Sequence, residues 1–157
     1  MKSIFRYGVV VAFVVAIGLG AYFQPSANAV PSNSATTELV PVDTNMHDFM
    51  EGMFQAPYRR LKDAIANEPK DNNGWRALRS DVLILAEGCN LLLLRKQEKD
   101  QDKWDTYSLA SKQAGEVAFK AAKKKKFADA RAAYESMMVQ CNECHKTFAE
   151  GKHQLAP

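Results

Sequence analysis

Between Phe127 and Phe148 the apolar residues recur in steps of three and four: Phe127, Ala130, Tyr134, Met137, Cys141, Cys144 and Phe148. An α-helix places such positions on one stripe, whereas a strand would scatter them over both of its faces. The stripe must then be buried against another element. The same stepping runs through Trp75, Leu78, Val82, Leu85, Cys89 and Leu92, and through Tyr107, Ala110, Ala114, Val117 and Ala121. An earlier segment, from about Asp43 to Ala66, carries Met46, Met50, Met53, Leu61 and Ile65 near one stripe. No convincing period-two run of β-branched residues occurs after Ala29. The expected fold is therefore all-α, and the short connectors favour an antiparallel four-helix bundle.

The joints between these segments are also readable. Asp43 or Thr44 can cap the first helix, and Pro57 inside it should kink it by removing a donor and crowding the preceding turn. Pro69 to Gly74 is a connector whose Asp or Asn residues can start the next helix, which Gly88 weakens slightly. Arg95 to Lys103 reads as a charged, solvated connector, and the third helix is expected from about Trp104 to Ala122. Lys123 to Lys126 follow it, where cations meet the negative end of the helix dipole. They read as solvated surface, or as a docking patch for a redox partner.

The beginning of the chain has a different character. Lys2 and Arg6 precede an uncharged apolar run from Tyr7 to Phe23, and Ala27-Asn28-Ala29 forms a cleavage signature. Residues 1–29 are expected to be a signal peptide and residues 30–42 a flexible leader, leaving residues 43–157 as the helical domain. The apolar run is near the ~17–25 residues that span a bilayer, so an uncleaved membrane anchor is the rival reading. In a bacterium, cleavage and export would deliver the protein to the periplasm. Net charge is only +3 and no basic stripe with interleaved aromatics occurs, which argues against a nucleic-acid partner. Three cysteines are an odd number, which makes a simple disulfide framework a poor explanation for them.

Cys141-Asn142-Glu143-Cys144-His145 supplies a better one. C-x-x-C-H is the attachment signature of c-type haem. On a helix, positions i and i+3 share a face, so two thiols reach the two vinyl groups along one haem edge. His145, next in sequence, offers an imidazole to the iron as proximal ligand. One covalently bound haem c is the implied cofactor. The competing readings are weaker. A C-x-x-C dithiol is expected beside a βαβ pattern, which is missing. A closed zinc site needs four ligands, and no second closely spaced ligand pair accompanies Cys141 and Cys144.

The other axial position decides the function. Methionine there gives a six-coordinate iron of raised potential, suited to electron transfer, whereas an open position leaves a five-coordinate, high-spin iron that binds nitric oxide or carbon monoxide. Met46, His47, Met50 and Met53 cluster at the start of the first helix. Met50 is the candidate distal ligand, since Met46 lies near the helix start and Met53 lies one turn from Pro57. Met46, Met53, His47 or no ligand at all are the alternatives, and an ordinary apolar stripe is the plain explanation of the same residues. Cys89 reads as a small buried hydrophobe, and Trp75, Trp104, Tyr107 and Phe148 as core or haem-packing aromatics. His153 is expected to be solvated, and Arg59 and Arg60 to be either propionate partners or surface charges.

With a late C-x-x-C-H, four predicted helices and a Met-bearing first helix, the region from about Asp43 to Gly151 resembles the class II c-type cytochromes, the cytochrome c′ family with its low-spin relatives. The stretch from Cys141 to Phe148 is similar to that family's last helix. The resemblance implies a haem lodged among four helices, a periplasmic setting and frequent homodimers. The cluster of methionines points to a monohaem electron carrier that works with redox partner proteins and has no enzymatic turnover of its own. In low-spin members a methionine of the first helix is the sixth ligand, which carries over to Met50. Pro57 within that helix departs from the pattern and bears on its register.

Overall fold

The computed structural model describes residues 39–157. The expected signal peptide and the leader up to residue 38 lie outside the described residues. Among those described, the protein is all-helical and contains no strand. Helix α1 spans Met46–Met50, a π-helical turn spans Glu51–Gln55, and α2 spans Ala56–Ala66; α3 is Asn72–Leu92, α4 is Gln101–Lys123 and α5 is Phe127–Phe148. Met50, Glu51, Gln55 and Ala56 keep right-handed helical dihedrals, so α1, the π turn and α2 run on as one helical segment. None of these helices is long and apolar enough to cross a membrane.

The π turn changes the expectation for Pro57. A proline has no N–H and its ring crowds the carbonyl one turn back. Here Pro57 stands in the first turn of α2, directly after the wider π turn, and the segment continues. The inserted residue absorbs the misfit and rotates the register of everything upstream. Met53 therefore leaves the stripe of Met46 and Met50: its Cγ packs over Gly88 of α3, 3.3 Å from where a Cβ there would stand. The cap of α1 also differs by a residue or two from the expected one. Asn45 accepts from the His47 and Asp48 amides, and Asp43 in turn accepts from the Asn45 amide at 2.8 Å. Asp71 caps α3, accepting from the Gly74 amide at 2.8 Å.

α3 and α5 bury the stripes read from the sequence. α4 does not. Its buried positions are Trp104, Ser108, Ser111, Gly115, Ala118, Ala121 and Ala122, while Val117 is 56% exposed. The inward face is one position away from the expected seam because serine and glycine occupy three of its seven positions. Arg95 is another departure. Rather than standing in a solvated connector, it is buried at the end of α3, stacks 3.5 Å from the centre of the Phe49 ring and donates to the Leu91 and Asp43 carbonyls.

α4 packs against α3 and α5, and α2 against α3. One apolar core joins Leu61 and Ile65 of α2 to Leu78, Val82 and Leu85 of α3, Ala118 and Ala122 of α4, and Tyr134, Met137 and Met138 of α5. A second, smaller cluster centres on Leu92, Trp104 and Cys144, with Met46, Phe49, Met50 and Phe148 packed around it. Small residues let α3 and α4 approach closely. A Cβ on Gly115 would lie 2.8 Å from the Ala86 Cβ and 3.1 Å from the Met137 sulfur. Gly115→Ala should therefore lower stability by about 1–3 kcal/mol, although alanine in an unconstrained helix gains about 1 kcal/mol over glycine. Gly52→Ala is the control, because nothing stands within 4 Å of its added Cβ. Thermal melts of the two variants should shift in opposite directions.

Candidate functional site

A cavity of about 480 Å³ opens among the first helical segment, α3, α4, α5 and the C-terminal tail. Its volume lies within the ~300–1,000 Å³ usual for small-molecule and cofactor sites. Cys141, Cys144 and His145 line it from α5, and Met46, His47 and Met50 line it from α1. The fold thus brings together the C-x-x-C-H residues and three of the four residues considered as distal ligands. Met53 is not among the lining residues.

All three cysteines are free thiols and all three line this cavity. Burial pushes the Cys141 thiol up to about 11, opposed by its hydrogen bond to the Ser111 hydroxyl at 3.8 Å. Burial, together with the neighbouring Cys141, pushes the Cys144 thiol up to about 12. Burial likewise raises Cys89, which is 2% exposed. At neutral pH all three are protonated and apolar in character, which suits packing rather than thiolate chemistry.

His145 is held differently. Its Nδ1 lies 2.8 Å from the backbone oxygen of His153. A carbonyl can only accept, so Nδ1 carries the proton and Nε2 is left with its lone pair. Burial lowers the His145 pKa, against the opposing effect of that carbonyl. The imidazole is therefore neutral at neutral pH, in the tautomer whose Nε2 can ligate a metal. The His153 ring is solvent-exposed as expected, yet it lines the cavity rim with its centroid 6.5 Å from both the His145 and His47 rings.

The wall is largely aromatic and aliphatic. Trp104 meets Phe148 edge-on at 5.1 Å between centroids, and its indole N–H donates to the Leu92 carbonyl at 2.9 Å. Ser108 is a buried polar group in this wall. Its hydroxyl is 1% exposed, lines the cavity and has no hydrogen-bond partner within the protein. An unpaired buried hydroxyl costs about 1–3 kcal/mol, so the cavity keeps a polar contact for a bound group. Arg60 is committed to a two-pronged pair with Asp81, at 2.6 and 3.0 Å, whereas Arg59 lines the cavity. Of the two arginines, only Arg59 is placed to meet an anionic group there.

These features fit a flat, mostly apolar cofactor that is anchored at one edge and carries acidic substituents. The two thiols a helical turn apart match an edge anchor, Arg59 matches an acid, and the Nε2 of His145 matches an axial ligand. Among the described residues, no three His, Cys, Asp or Glu side chains converge as a metal cage. A metal held in a macrocycle needs only axial ligands from the protein. Sequence reasoning missed Ser108 and Ser111, because serine on a helix carries no periodic signal, and it missed the inward course of the tail. Comparison with known proteins finds no matching family model, no matching curated protein and no matching solved structure.

Proposed function

We propose that the protein is a monohaem c-type cytochrome that carries electrons in the periplasm and has no enzymatic turnover of its own. In this reading it is an antiparallel four-helix bundle, akin to the class II cytochromes. Cys141 and Cys144 hold haem c through two thioether bonds, His145 is the proximal ligand and Met50 the distal one. When bound, the haem supplies a reversible one-electron couple. The protein's own residues do the rest. The neutral His145 presents Nε2, Arg59 neutralises a propionate, and the aromatic wall of Trp104 and Phe148 excludes water. The observation that carries the reading is the convergence of Cys141, Cys144, His145 and Met50 on one cavity of cofactor size.

Met50 is preferred over its neighbours for a structural reason. Met53 packs on Gly88 away from the cavity, while Met46 occupies the first position of α1. Met50 immediately precedes the π turn. Such turns recur at functional sites. Expression with haem-attachment machinery should yield a mature chain that keeps one haem mass after denaturation and shows a low-spin spectrum when reduced. A high-spin spectrum with fast carbon monoxide binding would replace the carrier reading with gas binding by a five-coordinate iron. A chain without added mass would overturn both.

A further inference from the structure

The chain does not end with α5. Glu150, Gly151 and His153 all take positive φ values, 54, 73 and 60°. Two of the three are not glycine, and each such residue costs about 1–2 kcal/mol in this region. The strained turn reverses the chain and returns it over the cavity, where His153, Gln154 and Leu155 line the rim. Two reciprocal clasps hold it there. The Asn142 amide nitrogen donates to the Leu155 carbonyl at 2.9 Å, and the Leu155 amide donates to the Asn142 Oδ1 at 2.8 Å. The Tyr58 hydroxyl donates to the Ala156 carbonyl at 2.9 Å, and the Ala156 amide lies 3.1 Å from the same hydroxyl. Leu155 also packs against the main core. The tail is thereby pinned to α2 and to α5, and between the strained turn and the clasps the His153 carbonyl is set against the His145 Nδ1.

We propose that residues 152–156 form a positioning strap for His145, with Asn142 and Tyr58 as its clasps, and that the strap tunes the metal through the imidazole. The inference rests on the proposed haem ligation by His145. An Nδ1–H bonded to a carbonyl makes the imidazole a more basic ligand and fixes its plane. A more basic ligand favours the oxidised metal, so the strap holds the midpoint potential down. Asn142 lies between the two cysteines of the attachment motif, which couples the strap to the anchored edge of the cofactor.

The test uses the mature holoprotein. Mass spectrometry first records whether the wild type carries covalent haem; without it, the proposed function falls and the strap's role falls with it. Hydrogen exchange then reads the strap itself, independently of the metal. The Leu155 and Ala156 amides should exchange at least about tenfold more slowly than free amides. A chain ending at Gly151 should keep its helical circular dichroism and show a higher midpoint potential. At the wild-type midpoint its reduced-to-oxidised ratio should rise about tenfold, the low end for outer-shell partners of metal-bound imidazoles; this equals about 59 mV for one electron. Tyr58→Phe should move the potential the same way by a smaller amount. His153→Asn, which tolerates positive φ and keeps the carbonyl, should leave the potential in place. Unprotected amides, an unshifted truncated chain, or a His153→Asn shift as large as that of the truncation would each overturn the proposal.

Discussion

On the proposed haem attachment, replacing Cys141 and Cys144 together with serine should leave the matured protein without covalent haem. Serine is close to cysteine in volume and is likewise a donor, as the Cys141 thiol now is to the Ser111 hydroxyl at 3.8 Å. The local helix therefore has no reason to change. A hydroxyl does not form the thioether, so what is lost is the bond. The double variant should lose the whole haem mass under denaturing conditions, and each single variant should retain one attachment that is weaker in yield. Circular dichroism of the double variant checks that helix remains. Covalent haem surviving in the double variant would refute the assignment of the anchors.

On the proposed ligation, Met50→Ala should convert a low-spin iron to a high-spin one. A thioether ligand raises the potential of a His-ligated haem, so the variant should also titrate at lower potential and bind carbon monoxide faster. Two controls isolate the effect. Met46→Ala removes a neighbour that lines the same cavity, and Met53→Ala removes one that packs on Gly88 instead. Neither should alter the spin state. An unchanged Met50→Ala spectrum combined with a changed Met46→Ala spectrum would move the ligand one turn toward the start of α1. The two methionines lie one helical turn apart in α1 and both line the cavity, so each substitution removes one candidate and leaves the other in place.

How much of this was legible beforehand varied with the helix. In α3 and α5 the inward positions are mostly apolar, so periodicity located Leu78, Val82, Leu85, Tyr134 and Met137 in the core, even though Leu83, Leu91 and Val139 are exposed and Asp81 is buried. In α4 the contrast is inverted in places. Ser108, Ser111 and Gly115 face inward while Leu109 and Val117 face outward, and a reading based on hydropathy steps to the wrong face. At Gly115 volume decides the matter, because close approach to Ala86 and Met137 leaves no room for a Cβ, while Ser108 and Ser111 face the cavity. Arg95 misled for a related reason. A guanidinium in a charged stretch reads as solvated, but its planar head stacks on Phe49 and its donors find two carbonyls.

The sequence by itself determined that the region after the leader is helical, where its helices start and stop to within a few residues, and that Cys141, Cys144 and His145 share one end of the last helix. Those are local properties, set by spacing, capping and the absence of alternation. Tertiary structure alone decided that a π turn would absorb Pro57, that Met50 rather than Met53 would line the cavity, and that the tail would return to clasp Asn142 and Tyr58. Each of these depends on which surfaces meet across long stretches of chain. A side chain's partners there are chosen by packing and by unsatisfied donors and acceptors, neither of which has a period that a sequence can display.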